Sequence, residues 1–102
     1  MQHILIVEDD RTIAESIAFI LEQDSFSCQW FDNGTDALDY VENNAVDLML
    51  LDVGLPDMSG FDVLRKVRIK SDLPVVIISA RDDESDQVLA LEGLGANGYI
   101  TK

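Results

Sequence analysis

The stretch "MLLDVGLPDMSGFDVL", Met49–Leu64, runs from an apolar segment through a turn-rich linker into a helix-like pattern. The apolar segment ends on a single carboxylate, Asp52. The amino terminus repeats this design, because "HILIVEDD" is apolar from Ile4 to Val7 and then ends on three consecutive acids. Two buried strands that each end in acids predict an acidic site where the two strands finish.

Composition limits what the 102-residue chain can be. An apolar fraction of 47% is typical of one small globular domain. The formal charge of −13 disfavours direct nucleic-acid binding and suits a basic partner or a divalent cation. One cysteine, Cys28, excludes an internal disulfide and favours a reducing, cytoplasmic compartment. No signal peptide is recognisable, and the apolar runs are shorter than the roughly 18 residues a membrane helix needs.

Short apolar runs alternate with helical patterns along the chain. Asp10 and Ser59 are predicted helix N-caps, Asp62 is the expected capping-box partner of Ser59, and Asn33-Gly34 is a predicted turn. The predicted strands are 3–7, 27–31, 46–52, 74–78 and 98–101, and the predicted helices are 11–23, one around 37–41, one after Ser59 and 84–94. Strands that are apolar throughout indicate a parallel sheet with helices on both faces, an α/β fold.

The carboxyl ends of parallel strands lie at one edge of their sheet, where ligands bind. The chain delivers polar groups to this edge from four strands: Glu8-Asp9, Asp52, Ser79 and Thr101-Lys102. We therefore expect three acids, a hydroxyl and an amine to meet there. His3 opens the first strand, far from this edge, and is predicted to be a surface residue.

Four segments carry a resemblance to a known family: "ILIVEDD", "LMLLDVGLPDMSGFDVL", "PVVIISAR" and "GANGYITK". In this order they resemble the receiver domain of bacterial two-component response regulators. The residues of "LDVGLPDMSG", "ISAR" and "YITK" are most similar to those of the subgroup with winged-helix DNA-binding effectors. The resemblance implies a doubly wound, flavodoxin-like five-stranded sheet of order 2-1-3-4-5. It also implies that residues 1–102 are a receiver domain that stops before the family's fifth helix, with no effector domain.

The resemblance implies a magnesium site. Carboxylates packed at one edge repel each other, and a small hard cation with oxygen ligands relieves that repulsion. By similarity, Asp9 and Asp52 are direct ligands, Glu8 acts mostly through water, and the backbone carbonyl of Gly54 is the third protein ligand.

The resemblance also assigns the chemistry. Asp52 is the nucleophile that becomes an aspartyl phosphate, by attack in line on phosphorus. Lys102 pairs with one phosphoryl oxygen and Ser79 with another, and Tyr99 is the aromatic that rotates inward when the domain switches.

The expected function is a signalling domain phosphorylated by a sensor histidine kinase, with slow loss of its own phosphate but no turnover chemistry. The expected output is transcription, transmitted through the face of helix 4, strand 5 and helix 5. This face is also a candidate homodimer interface, and DNA contact is expected only through an effector domain. One alternative is a haloacid-dehalogenase-type phosphatase, but that class needs a second acid where this chain has Gly54. Another is a pseudo-receiver, an interaction module that takes no phosphate.

Two departures from the family pattern stand out. The segment "LEGLGANGY" carries one extra residue, and Gly98 stands where an acid is common, so this segment is expected to be loose. The chain shown ends at Lys102, before the family's fifth helix, so an apolar strip of the sheet is expected to face water.

Overall fold

Five strands alternate with helices in the computed structural model, which describes residues 2–80 and 83–102. Arg81, the last residue of the "PVVIISAR" segment, lies outside the described residues. The elements are β1 His3–Val7, α1 Arg11–Gln23, β2 Ser27–Phe31, α2 Gly34–Asn43, β3 Leu48–Asp52, α3 Gly60–Lys70, β4 Val75–Ser79, α4 Glu84–Val88, a π-helix Leu89–Gly93 and β5 Gly98–Thr101.

The strands form one parallel sheet in the order β2-β1-β3-β4-β5, which confirms the predicted topology. Its two faces are covered by different helices. One face of the sheet packs against α2, α3 and the π-helix, and the opposite face packs against α1. Burial on both sides explains why the central strands are apolar along nearly their whole length.

Side chains at the helix starts test the predicted caps. The Asp10 carboxylate accepts the N–H groups of Thr12 and Ile13 at 2.9 and 3.2 Å, and the Ser59 hydroxyl accepts that of Phe61, so both predicted N-caps are confirmed. The capping-box role of Asp62 is wrong, because its carboxylate pairs with Arg65 at 2.7 Å. A nearby cation competes successfully for this exposed acid.

Asn33-Gly34 is the start of a helix rather than a free-standing turn. The Asn33 side chain accepts the N–H of Asp36 at 2.8 Å, and Gly34 is the first residue of α2. Asparagine serves in turns and in N-caps for the same reason, which is that its side chain accepts hydrogen bonds from the following backbone.

Two strand boundaries differ slightly from the sequence patterns. β3 begins at Leu48 rather than at residue 46, and β4 covers Val75–Ser79 rather than residues 74–78. Pro74 has no N–H to donate, so it contributes only its carbonyl, which accepts from Met49 at 2.9 Å. At the other end of β4, Ser79 pairs with Thr101 and joins the sheet.

The predicted helix 84–94 is wrong in its second half. After Val88 the chain forms a π-helix, in which the N–H of Leu94 donates to the carbonyl of Leu89 at 2.9 Å, five residues back. A π-turn accommodates one residue more than an α-turn, so it absorbs the extra residue of this segment. Ala90 is buried in this segment, whereas Val88 and Leu91, predicted to lie at helical spacing, are 49% and 41% exposed.

The segment after the π-helix is anchored rather than open. The Arg68 guanidinium, from α3, donates to the Gly95 carbonyl at 3.0 Å, to the Leu73 carbonyl at 2.6 Å and to the Asn97 side chain at 2.8 Å. Gly95 has φ of 79°, a left-handed conformation that suits glycine. These bonds replace the loose segment that was expected.

On the α1 face of the sheet, Ile100 of β5 is 56% exposed. None of the described helices is both long enough and apolar enough to span a bilayer.

Candidate functional site

Four strands bring their last residues to one edge of the sheet. Glu8 follows β1, Asp52 ends β3, Ser79 ends β4 and Lys102 follows β5. Backbone bonds extend the ladder to these positions: the N–H of Glu8 donates to the carbonyl of Phe31 at 3.1 Å, and that of Lys102 donates to the carbonyl of Ser79 at 2.7 Å. The structure therefore confirms that these four residues meet at one edge, as the carboxyl ends of parallel strands predicted.

A shallow depression of about 520 Å³ lies at this edge. It is lined by Asp52, Val53, Gly54, Leu55, Ser59, Ser79, Ala80 and Lys102. Ser79 is almost fully buried and shares the depression with the Asp52 carboxylate. A small anionic group bound here would therefore meet a carboxylate, a hydroxyl and an ammonium.

Lys102 bridges two buried acids. Its Nζ atom lies 2.6 Å from Oε1 of Glu8 and 3.2 Å from Oδ1 of Asp52. Glu8 is 1% exposed and Asp52 is 5% exposed. Buried carboxylates need compensating positive charge. When Glu8 and Asp52 are both ionised, the single Lys102 ammonium leaves the cluster with a net charge of −1.

A third acid completes a possible cation site. Carboxylate oxygens of Glu8, Asp9 and Asp52 all lie within 4.8 Å of one another. Within residues 2–80 and 83–102 this is the one such group of three. Asp9 is exposed and the other two acids are buried, so the group opens to solvent on one side. An all-oxygen, partly open donor set fits Mg²⁺, which retains several waters.

Gly54 lies close to the Asp52 carboxylate. A Cβ atom placed on Gly54 would meet only Oδ2 of Asp52, at 3.9 Å, so the backbone of Gly54 passes directly beside that carboxylate.

Burial governs the electrostatics of Glu8. Desolvation raises the pKa of its carboxyl from 4.5 to about 7, and the neighbouring Asp52 acts in the same direction. The Lys102 ammonium and the N–H of Asp10, 3.2 Å from Oε2, act in the opposite direction. A bound cation would lower the pKa of this carboxyl group, because it favours the ionised form.

Lys102 responds to the same surroundings. Burial by itself lowers the pKa of the Lys102 ammonium, but the ion pairs with Glu8 and Asp52 outweigh burial and leave that pKa raised. The lysine is thus firmly charged.

Two predicted site residues lie differently from the rest. Glu8 was expected to act mostly through water, and in the structure its side chain is buried against Lys102. Tyr99 is half-buried, packs against the core on the α2–α3 face, and is not among the lining residues of the depression. The structure brings together the acids, Ser79 and Lys102, whereas Tyr99 lies outside the depression that they form.

The prediction that His3 is a surface residue is wrong. It lies at the opposite edge from the acids, as expected, but it is half-buried and its ring contacts two hydroxyls. Nε2 lies 2.6 Å from the Tyr40 hydroxyl, and Nδ1 contacts the Ser27 hydroxyl. Strand pairing explains the second contact, because His3 is directly opposite Ser27 in the register of β1 and β2.

Sequence reasoning missed two residues that support the site. The indole N–H of Trp30 donates to the Glu8 carbonyl at 2.7 Å, which places a fluorophore against the acid edge. The carboxylate of Asp57 accepts hydrogen bonds from Gly34 and Thr35, across 23 and 22 residues of sequence. The pair Pro56-Asp57 indicates only a turn, so the sequence gives no signal for the Asp57 contact.

Comparison with known proteins agrees with this geometry. The family model described as "Response regulator receiver domain" matches residues 4–102. The chain is 43% identical over 102 residues to the sensory transduction protein RegX3 of Mycolicibacterium smegmatis, covering 100% of this chain and 44% of that protein. It is 40% identical over 98 residues to the transcriptional regulatory protein CreB of Escherichia coli, covering 95% of this chain and 42% of that protein.

A solved structure shows the same architecture. The crystal structure of the response regulator protein TrrA from Thermotoga maritima, in complex with Mg²⁺-BeF, superposes with a TM-score of 0.88 at 28% identity, over 100% of this chain and 87% of that one. The chain spans less than half of the length of the two sequence relatives named above. The chain belongs to the family of response regulator receiver domains and is the receiver domain of a two-component response regulator.

Proposed function

We propose that the chain is an Mg²⁺-dependent phosphoacceptor, phosphorylated on Asp52 by a partner sensor histidine kinase. The observation that carries the proposal is the position of the Asp52 carboxylate. It is nearly buried, 3.2 Å from the Lys102 ammonium, and grouped with two further acids in a depression that also holds Ser79.

The donor set supports a magnesium ion at this edge. Asp9 and Asp52 would bind it directly with the Gly54 carbonyl, and Glu8 would act through water. When bound, Mg²⁺ supplies positive charge that neutralises a phosphoryl oxygen. That charge makes up the deficit left by two buried acids that share a single lysine.

Asp52 performs the transfer. One carboxylate oxygen attacks phosphorus in line, an O–P bond forms, and the bond from phosphorus to the donor nitrogen breaks, with a proton going to the released imidazole. Catalysis consists of positioning and charge neutralisation. The Lys102 ammonium, 3.2 Å from the Asp52 carboxylate, would pair with one phosphoryl oxygen, and the Ser79 hydroxyl, which lines the same depression, would bind another.

The product is the signal. A phosphoryl group adds about 1.5–2 negative charges, which draws Lys102 and Ser79 toward Asp52 and biases the face that includes β5 and Tyr99. We propose that this face, from α4 to β5 and the family's fifth helix, transmits the output and serves as a homodimer interface. Slow loss of the acyl phosphate resets the domain, so it is not a turnover enzyme.

The wider setting follows from the relatives. CreB is named a transcriptional regulatory protein, which supports transcription as the output. We propose that residues 1–102 are the receiver portion of a longer cytoplasmic regulator whose winged-helix effector contacts DNA.

The test uses acetyl phosphate with Mg²⁺ and the intact mass of the protein. The wild-type chain should gain one phosphoryl mass and show a change in Trp30 fluorescence, since that indole contacts Glu8. Asp52→Asn should remove the adduct, and the matched control Asp62→Asn, an exposed acid paired with Arg65, should keep it. A wild-type chain without an adduct would instead be a pseudo-receiver, and an adduct that survives Asp52→Asn would mean a different acceptor.

A further inference from the structure

The loop between Asp52 and α3, residues 53–59, is here called the acceptor loop. Its base is fixed to the end of β3. The N–H of Gly60 donates to the carbonyl of Val53 at 2.9 Å, and Gly54 pairs with Ser59 in a short antiparallel bridge. The base is so tight that a Cβ atom on Gly60 would lie 2.2 Å from the Asp52 carbonyl oxygen.

The tip of the acceptor loop is fixed to a different element. Oδ1 of Asp57 accepts the N–H of Gly34 at 2.8 Å, and Oδ2 accepts both the N–H and the hydroxyl of Thr35, at 2.9 and 2.6 Å. These donors are the first two residues of α2. A carboxylate at a helix N-terminus satisfies free N–H groups and the helix dipole, and such charge-assisted bonds are strong.

Asp57 and the N-cap residue Asn33 bind different N–H groups of α2. Asp57 accepts those of Gly34 and Thr35, and Asn33 accepts that of Asp36. Hydrogen bonds lower the pKa of the Asp57 carboxyl from 3.8 to about 2. The Thr35 hydroxyl contributes most, and the backbone N–H groups of Gly34 and Thr35 contribute less. The residue is therefore ionised whenever the protein is folded near neutral pH.

Packing reinforces these bonds. A Cβ atom on Gly34 would lie 2.7 Å from Cγ of Met58 and 2.8 Å from Cγ2 of Val63, so the acceptor loop and α3 press directly on the first residue of α2.

The start of α2 also leads to the other acids. α2 follows β2, and the last residue of β2, Phe31, accepts the N–H of Glu8 at 3.1 Å. Trp30, one residue earlier, donates its indole N–H to the Glu8 carbonyl at 2.7 Å. The segment that carries Glu8 and Asp9 and the loop that carries Gly54 are thus joined through the beginning of α2.

We propose that Asp57 is a positioning residue that holds the acceptor loop, and with it Gly54, in register with Glu8 and Asp9. The inference rests on the proposed function, because the register matters for a cation bound between the two segments. Asp57 touches neither the cation site nor the phosphoryl position, so its effect is transmitted through the loop.

The first measurement is Mg²⁺ affinity, with Trp30 fluorescence as the signal that reports binding. Asp57→Ala should raise the Mg²⁺ dissociation constant about tenfold, the lower end of what a residue supporting metal ligands usually contributes. The side chain of Asp57 is exposed, so the variant should fold. Thr35→Val should shift affinity in the same direction by a smaller factor, and the double variant should be no weaker than Asp57→Ala alone.

The matched control is Asp36→Asn. It removes the same charge from the same helix end, but its carboxylate accepts a hydrogen bond from the Asn33 side chain and does not contact the acceptor loop. This control should bind Mg²⁺ like the wild type. A second measurement needs no metal: Asp57→Ala should speed hydrogen exchange at the N–H of Gly60 in the apo protein, and Asp36→Asn should not.

The outcomes separate the two proposals. A wild type that binds Mg²⁺, with Asp57→Ala equal to it, overturns the positioning role and leaves the phosphoacceptor proposal intact. Equal weakening by Asp36→Asn also overturns it, because net charge would then be the cause. A wild type that shows neither Mg²⁺ binding nor an adduct overturns both.

Discussion

The two edges of the sheet hold polar clusters of opposite character. At the carboxyl edge, Glu8 and Asp52 are buried around one ammonium and carry more negative than positive charge when ionised. At the amino edge, His3 contacts the hydroxyls of Ser27 and Tyr40. The Tyr40 ring packs on Phe31 at a centroid distance of 5.3 Å, so that cluster is also part of the core.

The difference shows how a binding site can be told from a stabilising network. Polar groups that already satisfy one another by hydrogen bonding gain little from a ligand. Burial with too little positive charge nearby raises the pKa of a carboxyl group, and a bound cation opposes that change. Glu8 shows this shift, with a pKa of about 7.

The largest expected effect tests how rigidly the carboxyl edge is built. Gly60→Ala should lower the free energy of unfolding by about 3 kcal/mol or more, because the added methyl group would overlap the Asp52 carbonyl oxygen at 2.2 Å. Gly54→Ala, in the same loop with its nearest contact at 3.9 Å, is the control and should be close to neutral. Urea unfolding of both variants measures the difference, and equal stability would mean that the loop base is not tight.

A second prediction concerns the charge imbalance. The folded apo protein holds the Glu8 proton more tightly than the unfolded chain does, so this group's contribution to stability falls as pH rises from about 4.5 to about 7. The fall should be at most about 3 kcal/mol. Glu8→Gln should lose this part of the pH dependence, which urea unfolding in EDTA at pH 5 and pH 8 would detect.

The control for that titration is Glu15→Gln, an exposed acid paired with Arg11 on α1. It should keep the wild-type pH dependence. If Glu8→Gln and the wild type respond identically to pH, Glu8 is not the titrating group.

The smallest effect is expected at the amino edge. Tyr40→Phe removes the hydroxyl 2.6 Å from His3 and should cost about 0.5–1.5 kcal/mol of unfolding free energy. Phosphoryl uptake from acetyl phosphate should not change, because the substitution keeps the aromatic ring on Phe31 and removes only a hydroxyl that contacts His3. A loss of uptake in a fully folded Tyr40→Phe protein would show that the two edges are coupled.

The local sequence predicted the fold well and the finer contacts poorly. Apolar runs and caps such as Asp10 and Ser59 are local signals, so the elements and their order were predictable. Helix 84–94 was not, because whether an extra residue becomes a loop or a π-turn depends on partners such as Arg68, which lies in α3. Asp62 failed as a capping partner because Arg65 competes for it.

The sequence by itself determined a parallel α/β sheet and the edge to which Glu8, Asp52, Ser79 and Lys102 are delivered, since continuous apolar runs of strand length and the helical patterns between them are properties of short segments. Only the tertiary structure decided that Lys102 bridges the two buried acids, that Glu8 holds its proton up to about pH 7, and that Asp57 joins the acceptor loop to α2. Distances and burial between residues far apart in the chain depend on how all the elements pack, and no local pattern contains that information.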